Sequence, residues 1–188
     1  MSRIVDRGAI VAGWVGVGMA VVVALSFLLV IPIEPIFWLM AAPAGLLIGY
    51  YANQRSERRS GPWSRILVNG LYAGAVTALA FVILLLAVKA LFFAADSGYR
   101  DTSQGGSLAC SSGADCVYQR YLHSPQGPDL AGAGITDVGT FTAFYWGQQL
   151  GTAGVVLGLC LGGGLVGALA FGVSRPKDSG QVPNPATK

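Results

Sequence analysis

Charge is scarce in this sequence. Lys, Arg, Asp and Glu together make up 11% of its 188 residues, against about a quarter in an ordinary soluble domain. That is too little polar surface for a soluble enzyme or a disordered chain, so both classes are excluded. Cysteine is rarer still, with three residues, which excludes a disulfide-dense miniprotein. His123 is the one histidine. Two loop cysteines and a distant histidine make an incomplete zinc set, so no metal and no cofactor is expected. Glycine is abundant, at 27 residues, but lacks the three-residue period of collagen.

What the sequence does contain is long apolar stretches. Charge-free windows run over 8–33, 35–54, 66–88 and 138–174, and each reaches the roughly 20 residues a helix needs to cross hydrocarbon. Val21-Val22-Val23-Ala24-Leu25 does not alternate as a barrel strand would. Helices are the other way to satisfy every backbone group in lipid. The expected fold is an all-α integral membrane protein, a four-transmembrane-helix bundle with helices over about 8–31, 35–53, 66–94 and 138–173. Arg3 and Arg7 resemble the start of a signal peptide. The apolar stretch behind them runs into Ile31-Pro32-Ile33-Glu34-Pro35 without a small-residue cleavage site, so it reads as a retained anchor ending in a tight hairpin. Trp14 lies inside that span and is expected to pack rather than anchor, while Pro43 is expected to kink the second span.

Orientation follows from the basic residues. With the amino terminus inside, nine of the twelve Lys and Arg fall on the cytoplasmic side and only Lys89, Arg100 and Arg120 outside, a positive-inside pattern. Both termini are then cytoplasmic. Residues 95–137 form a larger extracytoplasmic loop between the third and fourth spans, and 175–188 a cytoplasmic tail. The run Asn53-Gln54-Arg55-Ser56-Glu57-Arg58-Arg59 reads as a solvated loop at the lipid surface. Within the outer loop, Cys110 and Cys116 are placed to form a disulfide in an oxidising compartment. Asp115–Leu122 has the spacing of a short amphipathic helix, and Thr136 or Asp137 is suited to cap the fourth span.

Every span carries a stripe of small residues, the device by which helices approach closely in lipid. In the first it is Gly13, Gly16, Ala20 and Ala24; in the second Ala41, Gly45 and Gly49; in the third Gly70, Ala73, Gly74, Thr77 and Ala78. The longest is in the fourth: Gly147, Gly151, Gly154, Gly158, Gly162 and Gly172 share one face. This stripe is expected to pack against the other spans, with a homo-oligomer or larger membrane complex through the same helix as the alternative. Gly163 and Gly167 lie on the opposite face.

No catalytic set is visible. The spans hold no Ser/His pair and no paired Asp, and no Walker sequence or dinucleotide fingerprint occurs. Nucleic-acid binding is not expected of a short basic loop beside a membrane. Gln148 and Gln149 near the outer face are the candidate ligand contacts. A four-span outline with cysteines in the larger loop is similar to tetraspanins, but the Cys-Cys-Gly motif of that loop is absent. The expectation is a non-enzymatic scaffolding, accessory or assembly component of a bacterial cytoplasmic membrane, in contact with the lipid bilayer. The alternative is a small-solute transporter or channel subunit.

Overall fold

A computed structural model describes residues 5–29, 34–57, 61–95, 110, 112–125 and 127–174. The hairpin tip at 31–33, the Ser- and Gly-rich stretch through 101–109, Arg58, Arg59 and the tail 175–188 lie outside the described residues. Six helices follow in order: α1 (Arg7–Leu29), α2 (Glu34–Gln54), α3 (Trp63–Ala95), α4 (Ala114–His123), α5 (Gly127–Gly132) and α6 (Val138–Ser174). Among the described residues there is no strand. α2 remains helical through Pro43. By length and composition three helical segments can cross a membrane: Arg7–Ser26, Trp63–Ala95 and Val138–Ser174. Their outward faces are apolar. Trp14 is 71% exposed, and Val22, Ile83 and Val173 are also open, a surface that lipid accommodates and water does not. Trp14 therefore does not pack within the chain as its position had implied.

The chain forms two compact units, one of residues 1–82 and 156–188 and the other of 83–155. In the first unit α1, α2, the first part of α3 and the second half of α6 are held by small residues. The small-residue stripes of α1, α2 and α3 all turn inward: Gly13, Gly16, Ala20, Ala24, Ala41, Gly45, Gly49, Gly70, Ala73, Gly74, Thr77 and Ala78 are buried. α1 runs antiparallel to α2, with Gly8 against the backbone of Arg55 and Ser56 and with Ala9, Ala12, Ile48, Ala52 and Ala73 in one cluster. It runs parallel to α3, since Gly13 meets Val76 and Gly16 meets Thr77. α6 runs parallel to α2, Gly163 facing Ala42 and Leu46 and Gly167 facing Leu46 and Tyr50. It runs antiparallel to α3, where Gly164 faces Gly70 and Gly74. The directions therefore alternate along the chain.

In α6 the longer glycine stripe is not the face that packs among the described helices. A Cβ added at Gly147, Gly151, Gly154, Gly158 or Gly162 would meet nothing within 4 Å, so among the described residues these glycines make no helix contact. The close approaches belong to the other face. A Cβ at Gly164 would lie 2.8 Å from the Gly70 carbonyl oxygen, and one at Gly163 would lie 2.6 Å from that of Ala42. Gly172 alone of the long stripe is covered, by the ring of Trp63.

The second unit is built on aromatic rings. Val117, Tyr118, Leu130, Ile135, Phe141 and Tyr145 form its buried cluster, with Phe93, Tyr121 and Trp146 packed against it. The apolar face of α4 lies here: Tyr118 and Tyr121 each sit 5.1 Å, centroid to centroid, from Phe141.

Candidate functional site

Asp137 opens α6. Its Oδ1 accepts the Thr140 backbone N–H at 2.9 Å, and the Thr140 hydroxyl donates to Oδ2 at 3.0 Å. These bonds satisfy donors that a helix start leaves free. The Thr140 N–H above all, with its hydroxyl and the Gly139 N–H, holds the Asp137 carboxyl below its ordinary 3.8. Cys110 and Cys116 are joined by a disulfide across a Cα–Cα distance of 5.4 Å. Cys116 is fully buried, so the bridge ties the start of α4 to the preceding loop.

The two candidate glutamines part company. Gln148 is exposed. Gln149 is 3% exposed, and its Oε1 is buried without a hydrogen-bond partner. His123 bonds through Nδ1 to the Gln119 carbonyl at 2.7 Å. Among the described residues no three His, Cys, Asp or Glu side chains group as metal ligands. The Cys160 thiol is buried and donates to the Ala41 carbonyl at 3.3 Å.

A polar cluster that sequence reasoning missed lies in the first unit. Asp6 precedes α1, and its backbone carbonyl accepts the Ala9 N–H at 3.0 Å. Its carboxylate turns instead to the other helices, accepting from the Ser56 hydroxyl at 2.5 Å and from Asn69 Nδ2 at 3.3 Å. Asn69 Oδ1 accepts the Asp6 N–H at 3.2 Å. Asn69 Nδ2 also reaches Asn53 Oδ1 at 3.5 Å. Asn53 Nδ2 donates to the carbonyls of Gly49 at 3.1 Å and Ile66 at 3.0 Å. Asn53 and Asn69 are each 1% exposed and Ser56 is 6% exposed. Asn53 and Ser56 are therefore not part of a solvated loop. They form a clasp that fastens the start of α1 to the end of α2 and the first turns of α3. Arg55 of the same run donates to the Tyr51 hydroxyl at 3.0 Å. One signal was readable in advance. An Asp placed just ahead of an apolar helix, with Asn residues in two flanking apolar windows, needs partners if all three are drawn inward.

The fold and these sites define an all-helical protein whose long apolar helices suit a membrane. Comparison with known protein families, with curated proteins and with solved structures finds no match.

Proposed function

We propose that this chain is a non-enzymatic membrane component, a four-span bundle with both termini in the cytoplasm of a bacterium, that joins another helix through α6. One observation carries the reading. Gly45, Gly49, Gly163, Gly164 and Gly167 pack against the backbone of a neighbouring helix, whereas Gly147, Gly151, Gly154, Gly158 and Gly162 leave an open groove along one face of α6. Groove-forming glycines favour close contact with a further helix in lipid. The test is assembly size in mild detergent, by native mass spectrometry of protein taken from its own membrane. The reading expects a dimer or a larger complex that Gly154→Leu and Gly158→Leu reduce to monomer while each variant keeps its melting temperature. A monomer for the unaltered chain, with nothing co-purifying, overturns it.

A second reading, a small-solute transporter or channel subunit, draws support from Gln149, whose buried carbonyl oxygen lacks a partner. Solute-induced swelling of proteoliposomes, compared with protein-free liposomes, tests it. Equal swelling in both would discard it.

A further inference from the structure

Gln149 is the one buried amide side chain among the described residues of the second unit. Buried polar atoms in proteins are nearly always paired, either with protein or with ordered water. Its Oε1 accepts nothing from the described residues, and at 3% exposure no macromolecular partner can reach it. Only a small donor fits that description.

The level on the helices is also informative. Phe93 of α3 packs on Tyr145 of α6 at 4.8 Å and on Trp146 at 5.6 Å. One turn back along α3 lies Lys89, and one turn on along the antiparallel α6 lies Gln149, so both stand at the same height. Lys89 is half-buried there, and so is Thr152, the next polar residue of α6. A bound water needs two or more polar partners, and two half-buried polar side chains, Lys89 at the same height and Thr152 nearly a turn further along α6, lie near Gln149 along the helices.

We infer that a water molecule is bound inside the second unit and donates a hydrogen bond to Gln149 Oε1. The site does not depend on either reading of function. A dry bundle that associates laterally holds such a water as readily as a transporter does.

The experiment is water-edited solid-state NMR of the full chain in bilayers, with glutamine side chains carrying ¹⁵N. The Gln149 signal is identified by its loss in Gln149→Met, or in Gln149→Asn if the methionine variant does not fold. Magnetisation is expected to pass from water to the Gln149 side-chain amide, more slowly than to exposed Gln54. No transfer to Gln149 while Gln54 responds would overturn the inference and point to an amide turned over to donate to a carbonyl. Thermal melting gives a second reading. With water bound, Gln149→Met leaves the midpoint unchanged or lowers it. A rise would mean that the substitution had relieved a dry, unpaired carbonyl, and would equally overturn the site.

Discussion

Two faces of α6 carry glycine, and periodicity alone does not say which one meets protein. The longer stripe, from Gly147 to Gly162, is the open one. Two polar residues of the helix mark the packed face, although Gln148 is exposed. Gln149 and Cys160 are buried on the side of Gly163 and Gly167, because in lipid a polar side chain is drawn toward the bundle interior. A leucine at Gly164 would be pushed into the backbone of α3, where overpacking costs typically 1–3 kcal/mol. Gly164→Leu is therefore expected to lower the melting temperature in detergent well below that of Gly158→Leu. Equal melting of the two would mean that the contact with Gly70 and Gly74 is not tight. The clasp is open to the same kind of test. Asn69→Leu would leave Asp6 and Asn53 short of a donor, a loss on the order of 1–3 kcal/mol. In a double-mutant cycle, Asp6→Asn and Asn69→Ala should be non-additive, as residues of one network are. Additive losses would show the two residues acting separately. Asp6 was hard to read from sequence because a residue in that position usually caps its own helix, whereas here the carboxylate reaches across to α2 and α3.

At the scale of elements, the start of α6 depends on a charge. Because hydrogen bonding lowers the Asp137 carboxyl, its contribution to stability is present above its ordinary value. It is lost as pH falls through the lower value of the folded state. Hydrogen exchange at Gly139, Thr140 and Phe141 is expected to quicken in that acid range relative to amides further along α6, and Asp137→Ala should bring the same fraying at neutral pH. Unchanged protection in the variant would mean that tertiary packing alone holds the turn. α4 is fastened twice, by the bridge from Cys110 and by the rings of Tyr118 and Tyr121 on Phe141. Closing so short a loop is worth about 2 kcal/mol in the unfolded-chain model. Reduction should therefore leave α4 docked while making Cys110 open to alkylation. Cys116, fully buried, should react more slowly. Alkylation of Cys110 without reductant would show the bridge unformed.

For the whole molecule, apolar length and scarce charge made a helical membrane protein legible from sequence. The first three small-residue stripes were legible as inward faces for the same reason, since each stands alone on its helix. Membrane orientation rests on the distribution of Lys and Arg and calls for labelling in intact cells. Arg58→Cys and Lys177→Cys should resist impermeant maleimide, and Asp129→Cys should react. Labelling of Arg58→Cys from outside would reverse the orientation. The meeting of α2 and α6 at Gly163 and Gly167 has a thermal consequence. Side chains that interdigitate give up rotamer freedom, a loss that weighs more as temperature rises. At this seam each α6 glycine faces backbone atoms of α2 that the helices have already ordered. Little conformational entropy is left to regain on separation, so heating should loosen contacts built on long side chains before it parts these two helices.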